Sequence, residues 1–581
     1  MNTNKLKRYI YNLRSNVALG IAYVAMLMLV EMMQLNTLRW WDPLVATAFN
    51  LVFYCSMVWL LMFFAAIIGG RASKVVHAMA HIVTGIYAIS SLFLMVFFHR
   101  HWDAFSMQFL HETNGTEASE FVKAYIFSWK SLAIAIASAL FFLGEWWMYR
   151  HIGSTRLVPK HNFARWTLAV IVVLSAGNVF FFSTDSDRNY ELTAHFKTPI
   201  KRNAIWTLWQ SVLQYDEFRD EFEKCATTMS SYTEHPSCRE QDADLVIIIG
   251  ESFCKHMSNL YDGKYNTNPL LLRRLRDGGL YLFKDVIASD NGTTQNFKYF
   301  MSTTSVNEKA KWCDKPLFPA ILRKCGYRSI YYSNQFVAND NLGQWDASMG
   351  FINHPGIEPY IIDWHNTQKF SYDLQLVDDY AKHRHEAEVK NRNLYIFHLY
   401  GQHSMSAQRY PHNMQPFSMQ DVSNTYAVGN GKPLSDTQRQ DIADYLNATA
   451  YNDLVVDSII RLFDNRNAII VYFSDHGEEI HYFRQQCGRT DLAKDVPMAL
   501  RVQLDVPFMV YATPLYRKLH PETCRSLARA TSQRFMTDDL PHLLFDLLGV
   551  RSKFFCPQRS PINKKYVAPL HRRLQNGRLY D

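Results

Sequence analysis

Leu245-Val246-Ile247-Ile248-Ile249-Gly250-Glu251-Ser252 is a β-rich run stopped by a glycine and followed at once by an acid and a hydroxyl. Similar short runs recur at Ser329–Tyr332, Leu394–Phe397, Ala468–Phe473 and Phe508–Tyr511. Between and after them lie helical patterns at Phe318–Lys324, Asp373–His383, Arg439–Phe463 and Asp538–Leu548. That alternation predicts a mostly parallel α/β sheet covered by helices. In such sheets ligand groups collect just beyond the carboxyl ends of the strands. Glu251 is then expected at the sheet edge, where a carboxylate can ligate a metal.

Toward the N-terminus the composition changes. The chain has 581 residues, too many for one ordinary domain, and its apolar residues crowd into the first third. Five runs there approach the roughly 20 helical residues that cross a bilayer: Val17–Leu35, Pro43–Gly70, Val75–Phe98, Ser131–Tyr149 and Trp166–Phe182. More spans follow the first, and no small-residue cleavage site ends it, so it does not read as a removable signal peptide. Lys5, Lys7, Arg8 and Arg14 precede the first span, Arg71 and Lys74 separate the second from the third, and Arg150, Arg156, Lys160 and Arg165 separate the fourth from the fifth. The positive-inside rule puts these loops in the cytoplasm and everything after Phe182 outside. The expected organisation is a five-helix transmembrane domain over residues 1–183, a connector over 184–242, and an outer α/β domain over 243–581. In the connector, Ile205, Trp206, Leu208, Trp209, Val212 and Leu213 form an apolar stripe suited to a membrane surface or to packing on the outer domain. The net charge of +8 is accounted for by topological signal and solvated surface, and implies no nucleic-acid partner. Eight of the nine cysteines fall in the polar part, which permits disulfides without fixing their pairing.

Two further clusters share the character of Glu251. Ser474-Asp475-His476-Gly477-Glu478 leaves the strand Ala468–Phe473, and adjacent Asp and His there offer one cation the oxygen and nitrogen donors that zinc accepts. Asn291-Gly292-Thr293-Thr294 opens a helical segment, Gln295–Ser302, whose unpaired N–H groups favour a phosphate. A threonine is a poor nucleophile until its proton is removed, and metal coordination is one way to remove it. Glu251, Asp475, His476 and a threonine oxygen would make a four-ligand site in which the threonine is both ligand and nucleophile.

Ile249-Gly250-Glu251-Ser252, Leu260-Tyr261, Thr267-Asn268-Pro269, the threonine-bearing helix start, His398-Leu399-Tyr400-Gly401-Gln402-His403 and Ser474-Asp475-His476-Gly477-Glu478 come in an order that resembles the membrane phosphoethanolamine transferases. These include the enzymes that modify lipid A and lipopolysaccharide core. The resemblance covers nearly the whole chain and implies a sulfatase/alkaline-phosphatase-like outer domain behind five spans of the inner membrane, facing the periplasm. It implies zinc on Glu251, Asp475, His476 and Thr294, with room for a second ion. It also implies Thr294 as the residue that carries phosphoethanolamine, preferred over Thr293 because Met301 then falls at the family's usual distance. His398 and His403 match the family's second histidine motif, with His403 placed to contact substrate phosphate and protonate the leaving group. In the outer loop between the third and fourth spans, Thr113 and Glu117 match positions held against the lipid donor, although Phe109 stands where an asparagine is usual. The cysteines that bracket the nucleophile helix in the lipid A enzymes are missing. Ser333-Asn334-Gln335 looks closer to relatives acting on core sugars or periplasmic glucans, which makes Asn334 a candidate substrate contact. His481 is another, though not at the family's usual spacing.

The implied reaction moves phosphoethanolamine from phosphatidylethanolamine to lipid A, lipopolysaccharide core or another envelope glycan, through a covalent threonine intermediate. The alternatives are a glycerol-phosphate transferase of the lipoteichoic-acid synthase type and a non-catalytic lipid sensor. A sulfatase is set aside, because Cys556-Pro557-Gln558-Arg559 lacks the spacing that formylglycine formation requires.

Overall fold

The computed structural model describes residues 9–34, 42–98, 102, 122–159, 161–183, 220–239, 242–335, 352–388, 392–403, 405–428, 432–484, 487–490, 492 and 495–581. The chain forms two compact units, Met1–Glu217 and Phe218–Asp581.

In the first unit five helices carry the apolar runs: α1 (Val17–Gln34), α2 (Asp42–Ile68), α3 (Gly70–Phe98), α4 (Trp129–His151) and α5 (Asn162–Ser183). Their side chains are apolar all round, as lipid-facing helices require. Ile82, Val83, Ile86, Leu140 and Leu143 all point outward. The two basic loops expected on the same side of the bilayer do meet. Arg14–Asn16 pairs antiparallel with Ser154–Arg156, and the Asn16 amide donates to Tyr149 O at 3.0 Å. Inside the bundle the Tyr23 hydroxyl donates to His77 O at 2.8 Å, and His81 Nε2 lies 3.2 Å from Glu145.

The second unit is built on a seven-stranded sheet. Its strands are β1 (Asp244–Gly250), β2 (Leu280–Phe283), β3 (Arg328–Ser333), β4 (Trp364–His365), β5 (Asn393–His398), β6 (Ala468–Ser474) and β7 (Phe508–Ala512). They lie in the order β2-β7-β6-β1-β5-β3-β4, parallel except at β7, which runs against both of its neighbours. Every residue of β1 is buried, and its side chains alternate between two cores. Leu245, Ile247 and Ile249 join Phe297, Phe300 and Phe318 on one face. Val246 and Ile248 join Tyr380, Val456 and Ile460 on the other. The first face is covered by α6 (Thr293–Met301), α7 (Phe318–Lys324) and, later in the chain, α10 (Leu540–Leu548). The second is covered by α8 (Asp373–Ala387) and α9 (Asp436–Phe463). Burial of each large aliphatic side chain contributes about 1.5–3 kcal/mol, so a central strand packed on both faces is a rigid base for the residues at its carboxyl end. The two strands missed by the sequence reading, β2 and the two-residue β4, are the two edges of the sheet, where Tyr281, Leu282, Trp364 and His365 are only partly buried.

The described part of the connector, 220–239, belongs to this unit. Cys225 and Met229 are buried in its core, and the Trp312 indole donates to Glu221 at 2.7 Å. The apolar stripe Ile205–Leu213 and the loop residues Thr113 and Glu117 lie outside the described residues. All nine cysteines are free thiols.

Candidate functional site

Parallel β1 and β6 are in register, with Ser474 opposite Gly250. Both chains therefore leave the sheet at the same level, and Glu251 and Asp475 emerge side by side. Two devices hold the first exit. The Tyr445 hydroxyl, from α9, donates to Ser252 O at 2.6 Å and accepts from Cys254 N at 2.7 Å. Ser252 itself takes a positive φ of 56°. Gly401, φ 54°, passes so close that a Cβ there would lie 2.8 Å from Glu251 N, so this position admits only glycine. Its loop is held by Asp373 at the start of α8, which accepts from Tyr400 N, Gly401 N and the Asn334 amide.

Four groups converge beyond the strand ends. His476 Nε2 lies 3.2 Å from Glu251 Oε1, 3.2 Å from Asp475 Oδ2 and 3.2 Å from Thr293 Oγ1. Thr293 Oγ1 also lies 3.2 Å from Glu251 Oε2. His476 Nδ1 faces Gly477 O at 2.8 Å, which places the ring proton on Nδ1 and turns Nε2 toward the cluster. Glu251, Asp475 and His476 are fully buried.

The electrostatics describe a place that wants a cation. Burial opposes charge on His476, but Asp475 and Glu251 outweigh it and raise its pKa. Burial, then the Glu251 charge, pushes Asp475 up to about 8. Burial would also raise Glu251, but the imidazole of His476 and the Arg489 guanidinium hold it well below the usual carboxylate range. Asp475 Oδ2 is buried and accepts no hydrogen bond, a costly state that a metal ion would relieve. The ligand atoms of Glu251, Asp475 and His476 all lie within 4.8 Å of one another. Two carboxylates and an imidazole this close together are donors that zinc accepts, so the residues fit that ion.

The structure places Thr293 Oγ1 at this cluster, next in sequence to Thr294, the residue preferred from the resemblance. Thr293 is the first residue of α6 after the Gly292 cap, and Thr294 points about 100° further round the helix and is buried. His398 ends β5, fully buried, with its ring on Phe297 at 4.7 Å; burial pushes its pKa down to about 3. The same cause pushes the His403 imidazole down to about 3. Asn334 is spent on structure, since its amide donates to Asp373 at 3.0 Å and its oxygen accepts from Phe370 N at 2.7 Å. His481 turns away to Asp441 and Cys487.

Two residues given no role by the sequence reading touch the cluster. Gln335 donates to Glu251 Oε2 at 3.2 Å and to Leu399 O at 2.8 Å. Arg489 donates to His476 Nε2 at 2.8 Å and to Asn291 O at 3.0 Å. Gln335 immediately follows a residue the sequence had singled out, whereas nothing in its spacing marked Arg489.

A family model described as "Sulfatase" matches residues 243–550, more than half of the chain. Phosphoethanolamine transferase EptC of Escherichia coli (strain K12) is 24% identical over 529 residues, 88% of this chain and 86% of that protein. The integral membrane lipooligosaccharide phosphoethanolamine transferase A (EptA) from Neisseria meningitidis superposes with a TM-score of 0.63 at 13% identity, covering 96% of this chain and 99% of that one. The C-terminal periplasmic domain of EptC from Escherichia coli, in complex with Zn, gives a TM-score of 0.50 at 23% identity over 59% of this chain and 93% of that one. The outer domain is thus sulfatase/alkaline-phosphatase-like and related to phosphoethanolamine transferases, and the five-helix domain before it matches the integral membrane fold.

Proposed function

The chain belongs to the sulfatase family, and from that premise we propose that it transfers phosphoethanolamine from phosphatidylethanolamine to a glycan of the cell envelope, lipid A or lipopolysaccharide core, with Thr293 as the nucleophile. It is a multi-pass membrane protein, and its loop charges put the catalytic domain on the periplasmic side. The observation that carries the reading is the meeting of one hydroxyl, Thr293 Oγ1, with two carboxylates and an imidazole at a sheet edge. The names of the relatives supply the transferred group.

Glu251, Asp475, His476 and Thr293 would hold a zinc ion, which when bound supplies a Lewis acid that favours the threonine alkoxide and polarises a phosphoryl oxygen. Glu251 Oε2 is placed to accept the Thr293 proton. Thr293 Oγ1 then bonds to phosphorus while the bond from phosphorus to the diacylglycerol oxygen breaks, and diacylglycerol leaves with the proton that Glu251 took from Thr293. An acceptor oxygen displaces the threonine in a second transfer, so the kinetics are ping-pong. Arg489 faces the same volume and offers a cationic donor to a phosphoryl oxygen.

The test is mass spectrometry of the zinc-loaded chain after incubation with phosphatidylethanolamine. A phosphoethanolamine adduct on Thr293, lost in Thr293→Ala and kept in Thr294→Ala, is expected together with release of diacylglycerol. A parallel incubation with phosphatidylglycerol that alone gave a glycerol-phosphate adduct would replace the donor. The absence of both adduct and diacylglycerol would sink the transferase reading.

A further inference from the structure

Among the described residues one other group of metal-ligating side chains converges, away from β1. His481 Nε2 faces two donors at once: Asp441 Oδ2 at 3.2 Å and Cys487 Sγ at 3.0 Å. The three ligand atoms lie within 4.8 Å of one another. His481 is only 7% exposed, and its backbone adopts a positive φ of 49°, unusual for a residue with a side chain. One nitrogen can share at most one proton, so this imidazole cannot hydrogen-bond both neighbours as a donor; a cation satisfies all three at once. The Gln438 amide lies 3.5 Å from His481 Nδ1. The amide oxygen accepts from Ser435 N at 2.9 Å, so it is the amide nitrogen that faces the ring.

We propose that Asp441, His481 and Cys487 form a second metal site, of the zinc class, separate from the catalytic cluster. One nitrogen, one sulfur and one carboxylate oxygen are a zinc donor set, and three protein ligands leave the fourth tetrahedral position to water. Soft thiolate excludes magnesium and calcium, which take oxygen ligands. The placement gives the site a purpose. His481 and Cys487 stand at the loop end of a small antiparallel hairpin in which Glu479 and Ile480 pair with Gly488 and Cys487. That hairpin joins His476 to Arg489, so both of its ends lie in the catalytic cluster. Asp441 belongs to the first turns of α9, whose Tyr445 holds the loop after β1. A metal here clips the arm that carries Arg489 to the helix that positions Ser252. It also covers a surface thiol that would otherwise face an oxidising compartment.

The experiment uses the full chain in detergent, loaded with cobalt(II) as the probe and, in parallel, with zinc. The catalytic cluster has no sulfur ligand, so a near-ultraviolet thiolate-to-cobalt charge-transfer band reports the second site alone. We expect the band in the native chain and in Glu251→Gln. Cys487→Ser should lose it, together with one equivalent of zinc. Zinc should also protect Cys487 from iodoacetamide, and a chelator should expose it, as read by peptide mass. A native chain with no sulfur band, a band that persists in Cys487→Ser, or a Cys487 alkylated equally with and without zinc would each overturn the site. Failure of the catalytic reading is separable: Glu251→Gln would then retain its full zinc content as well as the band.

Discussion

Two histidine–glutamate pairs in this molecule have the same length. In the membrane unit His81 lies 3.2 Å from Glu145, and in the outer unit His476 lies 3.2 Å from Glu251. Their surroundings differ. The first pair joins α3 to α4 among rings, with Tyr23 at 5.9 Å and Phe142 at 5.4 Å from the His81 ring. No second acid approaches it closely enough to make a metal cluster among the described residues. The second pair gathers Asp475, Thr293, Gln335 and Arg489 from separate segments. A short ion-pair distance therefore does not identify a reactive site. The membrane pair neutralises two polar side chains that hydrocarbon would otherwise reject. The outer pair belongs to a group of charges that is incomplete without a cation.

The largest effects should separate the two. Thr293→Ala should lower transfer by at least on the order of 10³-fold, because it removes the group that forms the covalent bond. Thr294→Ala should change it by less than about tenfold, the size of a packing effect. Equal losses in the two variants, by steady-state diacylglycerol release, would return the nucleophile to Thr294.

In the membrane unit the predicted loss is stability. His81→Ala leaves Glu145 buried at 7% exposure without its partner, which costs about 3–5 kcal/mol. Replacing both residues by leucine should recover most of that loss. Thermal unfolding in detergent measures both, with transfer per folded molecule unchanged. If His81→Ala instead abolished transfer in well-folded protein, the membrane pair would be functional and the contrast would collapse.

What could be read in advance divides along the same line. The strands β1, β3, β5, β6 and β7 were legible because their apolar runs are buried on both faces and end at glycine or polar residues. Glu251, Asp475 and His476 were legible because each comes directly after a strand end. The choice between Thr293 and Thr294 was not, since one residue of helical rotation decides it and spacing along the chain does not encode rotation. Arg489 reaches the cluster through a hairpin, so its approach is a tertiary fact. The His81–Glu145 pair was hidden differently: an acid and a histidine 64 residues apart carry no local pattern.

A smaller effect tests how the outer cluster is oriented. Gln335 holds Glu251 Oε2 and is itself fixed by Leu399 O. Gln335→Leu keeps the bulk and removes both hydrogen bonds, and such outer contacts are worth about 10–100-fold in metal affinity or activity. The expected signature is weaker zinc binding by competition with a chelator, with melting temperature little changed. Unaltered zinc affinity would mean that Glu251 is held well enough without Gln335, by the Ser252 hydroxyl donating at 2.8 Å and by Thr293 and His476.

The smallest effect is a proton count. Burial and the Glu251 charge raise Asp475 to about 8, so at neutral pH the metal-free chain keeps that carboxyl protonated. Coordination requires the carboxylate, and zinc must therefore expel the proton. Apparent affinity should accordingly rise by about tenfold per pH unit for each proton expelled, up to about pH 8, and flatten above it. His476, also raised, adds to the slope at the acid end. Calorimetry at pH 7 in buffers of different ionisation enthalpy reads the protons directly. Cys487→Ser is the right background, because it removes the thiol whose own proton would add to the count. About one proton or more per zinc is expected in that variant. Zinc binding with no buffer dependence would mean that Glu251, Asp475 and His476 are already deprotonated together, and the cluster's demand for a cation would have to be met by Arg489 alone.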